Sequence, residues 1–202
     1  FEEGKIRLEH DVSRYIPEFR DLRVFDGGSV DLWQTRKPER PMQVLDLLTH
    51  TSGLTYGFMA QDTVDALYRR KKIGVLDKND KDGVDLQGFI EKLAKMPLVF
   101  DPGKHWNYSV ATDVCGYLVE KLSGQTLDEF FRTRIFEPLG IVDTGFFVTH
   151  EKLNRLATRY QRPAGKKEIV LPHKSAGSSY SEPPIFLSGD GGFVPTSRCF
   201  FR

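Results

Sequence analysis

The sequence predicts an α+β fold: a helical middle followed by short strand-forming segments. Two patterns carry this expectation. From Pro41 to Pro138 apolar residues recur at helical spacing, in runs that glycine or proline closes. Beyond residue 150 the chain turns to short runs, RLATRY, EIVLPH and GGFVPT, separated by Gly, Pro and Ser. There are no internal repeats or low-complexity tracts. At 202 residues the chain suits one large or two small domains and can bury a real core. The expected organisation is a connector over 1–40, a helical domain over 41–150, and strands and loops over 151–202.

Residues 5–40 carry short apolar groups, the turn signal Gly27-Gly28 and Pro38, and read as an irregular connector. Val44, Leu47 and Leu48 then repeat at helical spacing, with Gly53 as the stop. Val64, Leu67 and Tyr68 mark a second helix, ending near Gly74. A third runs through Leu86, Phe89, Ile90 and Leu93, with Asp85 as its expected N-cap and Pro97 beyond it. The fourth is expected from Ser109 to Leu122, with Val110, Val114 and Leu118 on one face and Gly124 at the C-terminal stop. Thr126 and Glu129 have capping-box spacing for a fifth, which Pro138 closes.

Lys+Arg 29 against Asp+Glu 28, dispersed along the chain, gives no electrostatic footprint for nucleic acid or a membrane surface. No apolar run approaches the roughly eighteen residues of a membrane span. Cys115 and Cys199 have neither a disulfide framework nor metal-ligand spacing, which leans toward a reducing compartment. The chain opens FEEGKIRLEHDV, like the tail of a helix leaving at Gly4, and closes PTSRCFFR, like the start of another. The expectation is an internal piece of a longer protein, silent on targeting and on oligomeric state.

Three stretches hold candidate chemistry. The loop DKNDKDG (77–83) fails as a calcium site: with Gly83 at the sixth position, Lys78 and Phe89 fall where carboxylates are required. In HWNYSV (105–110), Ser109, Asp113 and His50 or His105 could be assembled into a triad. No GxSxG elbow surrounds any serine, however, and Ser109 reads better as an N-cap with Asp113 as a first-turn acid. The segment LLTHTSGLTYGF (47–58) is open between a helix end that shapes a turn and the wall of a pocket.

LLTHTSGLTYGF, PGKHWNYSVATDVCGYLVEKLSGQTLDEFFRTRIFEPLGI and LSGDGGFVPTS, in this order, resemble the serine β-lactamase-related superfamily of class C β-lactamases, DD-peptidases and similar esterases. The resemblance spans nearly the whole chain and is most specific from Pro102 to Phe146. It implies a β-lactamase/penicillin-binding-protein-like architecture, a helical domain packed on an antiparallel sheet flanked by helices. This chain would supply mainly the helical domain and the approaches to the sheet, with 1–40 leading in from that sheet's domain. It also implies a nucleophilic serine in a Ser-x-x-Lys motif upstream, an assisting tyrosine at Tyr108, and a third motif, His-x-Gly or Lys-Thr-Gly, downstream. None of the serines here begins Ser-x-x-Lys and no histidine precedes x-Gly, so Tyr108 is the single catalytic member expected in this chain.

Val110 stands where the lactamases carry Asn, which is more similar to the carboxylesterase branch. The implied activity is cleavage of short acyl esters through an acyl-serine, with a β-lactamase or DD-peptidase, or a non-catalytic ligand-binding relative, as alternatives. The partner implied is a small-molecule ester or amide, without metal or cofactor. A phenol with a pKa near ten is a poor base, and a lysine ammonium one helical turn from the serine would lower it. Tyr56 and Trp106 are the expected substrate-binding walls. The isolated chain is expected to be inactive.

Overall fold

The structure, a computed structural model, describes residues 1–74, 83–158 and 180–197, together with 160, 162, 165 and 199. The first forty residues are more regular than their sequence suggested. Two 3₁₀ turns, Val12–Arg14 and Pro17–Phe19, bury Val12 and Phe19. Strands β1 (Val24–Gly28) and β2 (Trp33–Arg36) then form an antiparallel hairpin. Gly27-Gly28, read as a turn, lies within β1: the register shifts between Phe25 and Gly27, and both glycines take positive φ. Such a bulge needs the conformations that glycine alone adopts freely. The Arg23 carbonyl accepts from Leu98 N–H and the Leu98 carbonyl accepts from Phe25 N–H, both at 2.8 Å, strapping the hairpin to the helical part.

Helix α1 (Val44–Leu48) is short, and a Gln43–Asp46 capping box sets its start. Asp46 is buried and receives both Arg40 guanidinium nitrogens at 2.7 Å, which offsets the cost of desolvating its charge. Helix α2 (Thr63–Arg70) is capped by Asp62, whose carboxylate accepts Asp65 N–H. Helix α3 (Leu86–Leu93) is capped by Asp85 as expected, with Gly88 N–H at 2.8 Å.

Helix α4 (Ala111–Ser123) starts two residues later than anticipated, and Val110 occupies the N-cap position. Ser109 is therefore not its cap, although its hydroxyl accepts a long 3.4 Å contact from Ala111 N–H. Gly124, at φ 72°, closes the helix as expected. Helix α5 (Leu127–Phe131) begins after Thr126, but the capping box does not close. The carboxylate of Glu120, one α4 turn before Gly124, accepts Leu127 N–H at 2.8 Å instead. A π turn over Arg132–Phe136 carries the chain onward.

Val44, Leu47, Val64, Leu67, Tyr68, Phe89, Ile90, Leu93, Val110, Val114 and Leu118, on the faces their spacing predicts, meet in one core. Each large apolar side chain so buried contributes about 1.5–3 kcal/mol before conformational entropy is counted.

The strand expectations after residue 150 do not hold where the chain is described. Arg155 ends a 3₁₀ turn from His150, and the described part of RLATRY forms no strand. GGFVPT makes a single antiparallel bridge, Gly145 with Val194. Its Phe193 instead packs on Phe146 at 4.4 Å and Phe131 at 5.2 Å, and aromatic burial substitutes for a ladder. EIVLPH and most of the loop 77–83 lie outside the described residues. Among the described residues, β1–β2 is the one sheet, no helix is long and apolar enough to cross a membrane, and no cluster of three metal-ligating side chains occurs.

Candidate active site

The site begins where two irregular segments run side by side. After α1 the chain reverses at His50, which has φ 55°, and continues through Gly53 at φ 82°. A side chain at Gly53 would strike the Phe100 carbonyl, so the segment from 50 to 55 can lie directly on that from 99 to 110. Backbone bonds join them: Val99 N–H to Gly53 carbonyl at 2.7 Å, Gly103 N–H to Thr51 carbonyl at 2.8 Å, and Asn107 N–H to His50 carbonyl at 2.9 Å. The Asn107 side-chain amide donates to the Leu54 carbonyl at 3.0 Å, and Val110 N–H reaches the Thr55 carbonyl at 3.3 Å. Thr55 is buried and donates its hydroxyl to Asp65 of α2 at 2.6 Å. LLTHTSGLTYGF thus shapes a turn and also backs a site.

This pairing sets five rings in series. Trp106 meets His50 edge-on at 6.2 Å; His50 lies 5.0 Å from Tyr108; Tyr108 lies 5.3 Å from Tyr56; and Tyr56 stacks on Phe58 at 4.7 Å. The two ends are exposed, Trp106 at 67% and Phe58 at 68%. Tyr56 beneath them is buried. Tyr108, half-buried at the centre, directs its hydroxyl to the carboxylate of Asp190 at 2.7 Å. That hydrogen bond, together with partial burial, pushes the Tyr108 phenol up to about 12. Burial, with the Asp113 and Asp190 carboxylates nearby, also raises Tyr56.

Asp190 is held from below. Asp113, on the first turn of α4 and buried, accepts the Ser188 hydroxyl at 2.6 Å. The Ser188 oxygen accepts Gly191 N–H at 2.9 Å and Asp190 N–H at 3.2 Å. Burial raises the Asp113 carboxyl, while the Ser188 hydrogen bond opposes that shift.

The Ser109–Asp113–His arrangement weighed from the sequence is not assembled as a triad. Ser109 is fully buried and shares a 3.3 Å contact with His50 Nδ1, while Asp113 turns to Ser188. His105 packs edge-on against Phe100 at 5.3 Å. The three sequence-selected residues, Tyr56, Trp106 and Tyr108, do converge on one ring series. Sequence reasoning missed Ser188 and Asp190. Their signal was LSGDGGF, where a serine and an acid in a glycine-rich turn are disposed to bond local backbone N–H groups.

Residues 1–198 match the Beta-lactamase family, and the chain belongs to it. It is 33% identical over 201 residues to Protein Rv1367c of Mycobacterium tuberculosis, covering 100% of this chain and 47% of that protein. Esterase EstB of Burkholderia gladioli is 33% identical over 212 residues, covering 98% of this chain and 50% of EstB. Among solved structures, EstCE1, a hydrolase with promiscuous acyltransferase activity, superposes with a TM-score of 0.76 at 28% identity, over 98% of this chain and 51% of that one. The chain spans about half the length of the curated relatives it matches. The fold is β-lactamase-like, within a family of serine hydrolases and acyl-transferring enzymes.

Proposed function

We propose that this chain forms the tyrosine side of a serine carboxylesterase site, acting on short acyl esters through an acyl-serine. The observation that carries the reading is Tyr108. Its hydroxyl stands at the entry to α4, between the rings of His50 and Tyr56, and is hydrogen-bonded to a carboxylate. The esterase names of EstB and EstCE1 support the same direction. The serine and its lysine belong, in this reading, to sequence outside these 202 residues, and the helical part over 41–150 packs on a sheet reached through 1–40 and 151–202.

In the proposed reaction the phenolate form of Tyr108 takes the serine proton as serine oxygen bonds to the ester carbonyl carbon. The tetrahedral intermediate collapses, the carbon–alcohol oxygen bond breaks, and Tyr108 returns the proton to the leaving alcohol. Water then repeats the sequence and releases the acid; an acceptor alcohol in its place gives acyl transfer. With Asp190 beside it Tyr108 holds its proton, and a lysine ammonium at the hydroxyl would favour the phenolate. Trp106 and Phe58 offer apolar surface to the acyl or alcohol group, while Tyr56 backs Tyr108.

The full-length protein is expected to hydrolyse nitrophenyl butyrate in preference to nitrocefin; the reverse preference would assign it to the lactamases. Tyr108→Phe should lower kcat by about 10²–10⁴-fold, the range for loss of a general acid–base group. Wild-type turnover in that variant would remove the role assigned to Tyr108. The 202-residue chain alone should hydrolyse neither substrate, and rapid stoichiometric labelling of one of its serines by a fluorophosphonate would contradict this.

A further inference from the structure

We propose that Asp190 is a positioning residue for Tyr108: anchored to α4 through Ser188 and Asp113, its carboxylate orients the phenol hydroxyl and retains its proton until catalysis. The assignment rests on Tyr108 being the proton carrier of the site.

The geometry has two stages. Asp190 Oδ1 accepts the Tyr108 hydroxyl at 2.7 Å, which fixes the side from which the oxygen is approached and leaves its lone pairs facing away. Asp190 is not a loose loop acid. Its backbone N–H lies 3.2 Å from Ser188 Oγ and 3.3 Å from Asp113 Oδ1, and both of those residues are almost fully buried. Gly189, between them, lies against the α4 backbone at Thr112 and Gly116. The helix that presents Tyr108 at its entry therefore also holds the acid bonded to its hydroxyl.

Deprotonating Tyr108 here would place a phenolate beside a carboxylate, so Asp190 opposes it. Among the described residues, the other titratable groups facing the phenol are His50 and Tyr56, from the segment after α1, and Asp113 of α4. Asp113 adds to the opposition. The raised Tyr108 phenol agrees with this balance. Asp190 thus keeps Tyr108 a donor at rest and makes proton release depend on positive charge arriving at the site.

The test is a tyrosine ring-carbon NMR titration of the full-length protein, with the Tyr108 signal identified by its loss in Tyr108→Phe. Asp190→Asn should lower the Tyr108 midpoint by about one to two pH units, as removal of an adjacent like charge does, and Asp190→Glu should restore part of it. An unchanged midpoint in Asp190→Asn overturns the proposal. In the kcat/KM pH profile, Asp190→Asn should move the limb belonging to Tyr108 by the same amount. A shifted midpoint with an unmoved profile also overturns the positioning role. If Tyr108→Phe keeps full activity, the underlying catalytic reading has failed, while the titration still decides whether Asp190 governs the phenol.

Discussion

Trp106 and Phe58 stand in water at the two ends of a ring series whose inner members are buried or half-buried. Their exposure gives them little part in folding, and the proposed function gives them a part in binding substrate. Trp106→Ala should therefore leave stability within about 0.5 kcal/mol, the range for surface substitutions. It should raise KM for apolar esters several-fold in the full-length protein. An unchanged KM would remove Trp106 from the binding surface. At this scale the sequence could nominate Tyr108, Trp106 and Tyr56 because each lies in a short local motif, HWNYSV or LLTHTSGLTYGF. Asp190 was not: it is 82 residues from Tyr108, and no local pattern pairs them. Ser109 was misread because its composition suits a cap, while burial brings its hydroxyl to His50.

Between elements, the decisive contact is a glycine turn pressed on a helix. A Cβ at Gly189 would run into the Thr112 carbonyl of α4, and Gly116 lies directly opposite. Gly189→Ala should push the Ser188–Gly191 turn off α4, costing about 1–3 kcal/mol as overpacking does. It should also separate Asp190 from Tyr108, shifting the Tyr108 titration in the direction of Asp190→Asn. Thermal melting together with that titration checks both effects, and a variant with wild-type values for each would show that the turn has room. Helix α3 matches its sequence reading, cap included, because an Asp cap and an i, i+3, i+4 apolar face are properties of one or two turns. The apolar face of α2 is legible in the same way, but its Asp62 cap was not anticipated and it ends at Arg70, before Gly74. The start of α5 was misread for a complementary reason. Thr126 and Glu129 have the right spacing, but Glu120 reaches Leu127 N–H first, across a helix junction that spacing rules do not describe.

For the molecule as a whole, charge sets where the fold is stable. Hydrogen bonding from Arg36 holds Asp101 down at about 2, below its ordinary 3.8, despite the opposing cost of burial. That stabilisation is present above pH 3.8 and is lost as pH falls through about 2. Arg36 links β2 to Asp101, which also accepts Glu39 N–H at 2.8 Å, so the hairpin should loosen as pH falls through about 2. At the other end Tyr108 is raised, and its contribution is present below pH 10.0 and lost as pH rises through about 12. Melting temperature followed against pH should fall at both limits. Asp101→Asn should flatten the acid limb alone, and an acid limb as steep as wild type would assign it to other carboxylates.

The sequence by itself determined where the helices lie, the Asp85 cap and the Gly124 stop, the apolar faces that meet in the core and the α+β class, and it nominated Tyr108. These depend on neighbours a turn or two away, or on a motif with a recognisable order. Tertiary structure alone decided that 1–40 contains a bulged hairpin, that GGFVPT yields one bridge and an aromatic cluster, and that Ser109 turns to His50. It also decided that Asp113, Ser188 and Asp190 make a continuous support for Tyr108. For Ser109, Asp113 and Ser188 the partners are chosen by burial: a polar group taken out of water must bond to whatever the fold brings within reach, however distant in the chain.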